Sequence, residues 1–110
     1  MKVTRDKERD MANQLIKFRH GNHKGIFHYT IFEGDFVALS EIKTGKIDYI
    51  KKHGALDLTF DLQSTSYDVM AVDVIEDPDY VKRVYDFMQQ SENSYFNRGA
   101  DGLCVLKFHK

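Results

Sequence analysis

The clearest pattern along the chain is an alternation in which Leu56, Leu58, Phe60 and Leu62 are separated by Asp57, Thr59 and Asp61. Successive side chains of a strand point to opposite faces, so this spacing predicts a strand over 56–62 with one apolar and one solvated face. Residues 25–32 are rich in β-branched and aromatic side chains and predict another strand. Glu33-Gly34-Asp35 supplies turn chemistry, and 36–39 returns as the second arm of a hairpin. Two more strands are expected over 67–75 and 103–108. Residues 14–20 fit two periods. Met11, Leu15 and Phe18 have helical spacing, whereas Ile16, Phe18 and His20 alternate with Lys17 and Arg19. Gly21-Asn22 follows at once as a turn, which favours a strand from Leu15.

Helical signals are fewer. Thr44 is placed to cap a short helix running to 52, with Ile47 and Ile50 inward, Lys51, Lys52 and His53 at its end and Gly54 just past it. Asp77-Pro78 opens a longer helix with the apolar stripe Val81, Val84, Tyr85 and Met88. Residues 4–13 are mostly charged, and Thr4 caps a short, partly frayed helix there. Gln90 to Asp101 is a polar loop. Six short strands must hide one face, and curling into a small antiparallel barrel does so without open edges. The expected class is therefore mainly β (α+β), a six-stranded antiparallel barrel with two or three helices, in one domain spanning 1–110.

Composition narrows the function classes. With 16 basic and 17 acidic residues the net charge is −1, so there is no general field for nucleic acid or an anionic membrane and any anion site must be local. The longest uncharged stretch, 25–32, is far too short to span a bilayer. The N-terminus lacks an apolar leader core, and the single Cys104 excludes an internal disulfide or a cysteine-based metal cluster. A cytoplasmic setting is expected.

No glycine-rich phosphate loop, serine elbow or paired-histidine helix is present. Cys104 lies in an alternating strand and reads as a small buried residue. His20 and His23 flank a turn with His28 nearby, but no acidic helper or fourth ligand accompanies them, so no metal site is expected. Most acids fall on solvated strand faces or at helix starts. The segment 40–46, Ser-Glu-Ile-Lys-Thr-Gly-Lys, is different. It leaves a strand and opens a helix, so unsatisfied backbone N–H groups, the Thr44 hydroxyl and the charges of Lys43 and Lys46 would all favour a phosphate. The same residues also describe a capped helix with two solvated lysines.

The succession Tyr29-Thr-Ile-Phe-Glu-Gly-Asp-Phe-Val-Ala-Leu-Ser40, then Thr44-Gly-Lys46, then Ile50-Lys-Lys-His-Gly-Ala-Leu-Asp-Leu58 resembles the FMN-binding split-barrel family. Pyridoxamine 5′-phosphate oxidases and general-stress flavoproteins belong to it. Val-Ile-Glu-Asp-Pro78, Val84-Tyr85 and Leu103-Cys-Val-Leu-Lys-Phe108 continue the likeness in order, so that it covers roughly 14–110. The resemblance implies a homodimer with FMN at the subunit interface and oxidoreductase-type chemistry. It places Lys46 at a phosphate-binding lysine, Thr44 at its neighbouring hydroxyl and Ser40 at the hydroxyl that ends the strand. Lys24 would replace a phosphate-contacting arginine, keeping the charge without the bidentate fork. Asp68 would replace a flavin-contacting glutamine and cannot donate the amide's hydrogen bond. Asp73 stands where relatives often have glycine. The chain stops after its last strand, without the Arg- and His-bearing segment of the vitamin B6 oxidases, so pyridoxamine-phosphate oxidation itself is not expected. No residue reads as a catalytic acid or base. The runner-up is a cofactor-less dimeric binding or structural member of the same fold; a haem-binding relative using His20, His23 or His28 comes third.

Overall fold

The computed structural model describes residues 14–91 and 96–109. Six strands form a closed antiparallel barrel: β1 (Leu15–His20), β2 (His23–Phe32), β3 (Asp35–Glu41), β4 (Ala55–Thr59), β5 (Asp68–Ile75) and β6 (Leu103–His109). Around the barrel the order is β1-β2-β3-β6-β5-β4. Helix α1 (Gly45–His53) links β3 to β4, and α2 (Pro78–Gln90) links β5 to β6. The expected class and strand count hold. The helix expected over 4–13 lies outside the described residues, and among the described residues no helix is long and apolar enough to cross a membrane.

Two apolar clusters explain the sequence pattern. The barrel interior holds Ile16, Phe27, Ala38, Leu56, Leu58, Met70, Val72, Cys104, Leu106 and Phe108, with Ile47 and Ile50 of α1 packed against them. The second cluster lies outside the barrel, where Val81, Val84 and Met88 of α2 cover Phe32, Val37, Leu39, Leu103 and Val105. Strands β3 and β6 are thus buried on both faces, which is why 36–39 and 103–106 read as unbroken apolar runs. Strand β4 alternates because its outer face carries no helix.

Local chemistry fixes the helix ends. The Thr44 hydroxyl accepts from the Ile47 N–H at 3.3 Å, and Gly54 closes α1 in the left-handed region at φ 70°. Asp77 caps α2, accepting from the Asp79 N–H at 3.3 Å, with Pro78 in the first turn.

The strand expected over 56–62 stops at Thr59. Thr59 Oγ1 accepts from the Asp61 N–H at 3.1 Å, and Asp61 Oδ1 accepts from the Gln63 N–H at 3.0 Å. These side-chain turns outcompete the ladder despite two more apolar positions in the alternation. Thr59, expected on a solvated face, is buried.

The barrel wall is closed in order but not along its full height. The β2–β3 ladder runs only from Tyr29 opposite Ala38 to Phe32 opposite Asp35. Below it, β2 follows β1 from His28 down to His23, while β3 follows β6 from Leu39 to Glu41. The wall opens into a slot between these diverging halves.

Candidate functional site

The slot is a cleft of about 260 Å³. One bank is Ile26, Phe27 and His28 of β2 with Phe18 behind them; the other is Leu39 and Ser40 of β3. Met88 of α2 and Phe96 close the outer side, and Lys46 enters from the first turn of α1. Its placement follows from the fold, because Thr44 ends the link from β3 and caps the helix two residues earlier. Lys46 Nζ lies over the rings of Phe27 and Phe18, 5.2 and 5.6 Å from their centroids. Both contacts are within cation–π range.

Burial holds the Lys46 ammonium below the ordinary lysine range, partly offset by the electrostatic pull of Cys104 and Glu41. Its charge is felt at His20, whose imidazole is also pushed down, first by burial, then by His23, then by Lys46. His20 sits in an aromatic row, with ring centroids 6.0 Å from Phe18, 5.0 Å from His23 and 5.2 Å from Tyr49. Tyr49 continues the row to His53 at 4.1 Å. Among the described residues no three His, Cys, Asp or Glu side chains converge as a metal site.

The residues singled out in the sequence are only partly brought together. Ser40 and Lys46 share the slot; the Ser40 hydroxyl donates to the Glu41 carbonyl at 3.1 Å. Thr44 is next to them, its hydroxyl turned into the helix as the cap. Lys24 lies on the outer face of β2 in a separate groove with Lys17 and Arg19. Asp68 is exposed at the start of β5, opposite Leu58, and lines neither cavity. Asp73 is exposed and sits 2.7 Å from His109 Nε2. Cys104 is fully buried, and burial lifts its thiol to about 11.

The apolar lining from Phe18, Ile26, Phe27, Leu39, Met88 and Phe96 was not identified as a site from sequence. Its residue types match any core, and only the register reveals that β2 and β3 part between them. Chemically the slot offers, among the described residues, a mostly apolar space with one half-buried lysine at its edge. That combination suits a ligand with an aromatic body and an anionic tail.

No family model and no curated protein matches the chain. Solved structures do. A Listeria innocua protein provisionally named a pyridoxamine 5′-phosphate oxidase superposes with a TM-score of 0.60 at 11% identity, over 96% of this chain and 92% of its own. A NimC/NimA family protein from Clostridium acetobutylicum gives a TM-score of 0.58 at 14% identity, over 100% of this chain and 82% of its own. At these identities the likeness is one of fold, and the chain has the split-barrel fold of these proteins.

Proposed function

We propose that the protein is a small flavoprotein of the pyridoxamine 5′-phosphate oxidase-like type, binding FMN in the slot and carrying out oxidoreductase chemistry as a homodimer. The supporting observation is the interrupted β2–β3 ladder, which leaves an apolar cleft with Lys46 half-buried at its edge. The residues present fit the group. Phe18, Phe27, Leu39 and Phe96 offer surface for an isoalloxazine, and Lys46 with the start of α1 offers charge and N–H donors for the phosphate. Bound flavin would supply the electron-transfer chemistry; the chain orients it and excludes water. A cleft of about 260 Å³ is small for such a ligand, since sites of this kind start at roughly 300 Å³. A second protomer would supply the missing wall.

Flavin fluorescence titration tests this reading. Saturable quenching by micromolar protein is expected, and Lys46→Ala should weaken FMN much more than riboflavin, which lacks the phosphate. Absence of saturable quenching sinks the flavin reading, and equal losses for both ligands sink the role of Lys46. Light scattering on the eluted protein should give a dimer mass; a monomer would remove the shared site.

One observation favours a second reading, a cofactor-less dimer of the same fold. Lys24 and Asp68 stand outside the slot, leaving Lys46 as the lysine that lines it among the described residues. Failure of FMN to bind to a dimeric protein would select this alternative.

A further inference from the structure

A second concavity of about 300 Å³ lies on the outer face of β1 and β2, beneath the loop that follows β4. Lys17, Arg19 and Lys24 line it together with Ser64, Thr65 and Tyr67. The register sets Arg19 directly opposite Lys24, and Lys17 opposite Ile26, so all three cations share one face of two paired strands. Like charges directly opposite each other on a sheet are destabilising, and packing alone gives no reason to gather them.

The cations are not equally engaged. Lys17 Nζ donates to the carbonyls of Leu62 and Ser64, at 3.0 and 2.6 Å, and so pins the loop to the sheet. Arg19 pairs with Asp57 at 3.2 Å and stacks on Tyr67, 4.3 Å from its centroid. Lys24 is exposed and has no ion-pair partner among the described residues. Among the described residues Asp57 is the carboxylate paired to this cluster, which leaves two positive charges in excess there on a chain whose net charge is −1. The groove is pre-shaped, because its loop wall is held before any ligand arrives.

We propose that this groove binds the phosphate group of a small phosphorylated ligand that is distinct from the occupant of the slot. A phosphate monoester dianion matches the uncompensated charge. Lys24 closes on it from the open side, and Thr65 offers a hydroxyl. Ile26, 54% exposed, lines both the groove and the slot, so the ligand's carbon skeleton lies over Ile26 and reaches the edge of the slot. This assignment does not depend on flavin binding.

Amide NMR spectra recorded at constant ionic strength, with inorganic phosphate and with phenyl phosphate as probes, test it. Saturable shifts are expected at residues 17–26 and 62–68, with phenyl phosphate adding to those at Ile26. Lys24→Gln should weaken both probes roughly tenfold, as loss of a charge-assisted hydrogen bond does, and Lys24→Arg should restore them. Shifts that never saturate, shifts centred on 40–47, or an unchanged affinity in Lys24→Gln would each overturn the proposal. FMN added to phosphate-saturated protein should leave the groove shifts in place. If FMN displaces phosphate and riboflavin does not, the groove holds the tail of the slot's ligand, and the claim of a distinct ligand fails.

Discussion

The barrel has two kinds of wall. Strands β3 and β6 are packed from inside by the barrel core and from outside by α2, and Val37, Leu39, Leu103 and Val105 are buried on the outer side. Strands β1 and β4, with the 23–28 stretch of β2 and the 68–73 stretch of β5, are packed from inside; their outer face shows Lys17, Arg19, Lys24, Ile26, Asp57 and Val69. The slot lies where one kind of wall gives way to the other, with β3 on its covered bank and β2 on its open bank. A rigid bank facing a solvated one is a sound arrangement for a site, since the first sets geometry and the second leaves room for charge and for a partner.

Identical truncations on the two walls should separate them most strongly. Val105→Ala removes two methyl groups from a fully buried position and should cost about 2 kcal/mol in urea unfolding, whereas Val69→Ala, at a residue 74% exposed, should change stability by less than about 0.5 kcal/mol. Similar losses at both positions would mean that the outer face of β5 is covered in solution.

The open wall has one tight point. A Cβ on Gly25 would come within 2.5 Å of the Phe18 ring, which lies across from it in the β1–β2 ladder. Gly25→Ala should therefore cost about 1–2 kcal/mol, and Gly25→Ala with Phe18→Leu should recover most of it in the same urea series. No recovery would mean that the cost comes from the backbone and not from the ring.

A smaller effect should appear with pH. The His20 pKa lies below the ordinary 6.5 in the folded chain, so the unfolded chain binds more protons between that lowered value and 6.5. Stability should fall as pH drops through this window and level off below the folded pKa. His20→Gln should flatten that part of a Tm-against-pH curve. An unchanged slope would place the titration elsewhere.

The smallest expected effect is at the exposed Lys82–Asp86 pair on α2, 2.8 Å apart. Asp86→Asn should shift stability by less than about 0.5 kcal/mol and lose even that in high salt. A larger, salt-resistant loss would show that the outward side of α2 is itself engaged.

Much of the fold was legible because its signals are local. Thr44 with Gly54 bounded one helix and Asp77-Pro78 opened the other, while the turns at Gly21-Asn22 and Glu33-Gly34 placed the hairpins. The end of β4 was not legible, because the turn at Asp61 competes with an alternation that continues to Leu62. The site was legible only in part. Ser40, Thr44 and Lys46 are near one another in sequence and stay together in space. Lys24 and Asp68 depend on which face and which neighbour each strand acquires, and a shift of one residue reverses the face. The slot itself arises where the β2–β3 ladder stops short, which no window of sequence records.

The interrupted ladder also has a consequence for exchange with solvent. Where β2 leaves β3, alternate amides of 23–28 face β1 and the others face the slot. In deuterated buffer those turned toward the slot should exchange early, in a strand whose other amides are held by the barrel. The same stretch would thus label in an every-second-residue pattern, and any molecule that fills the gap should slow only the fast half.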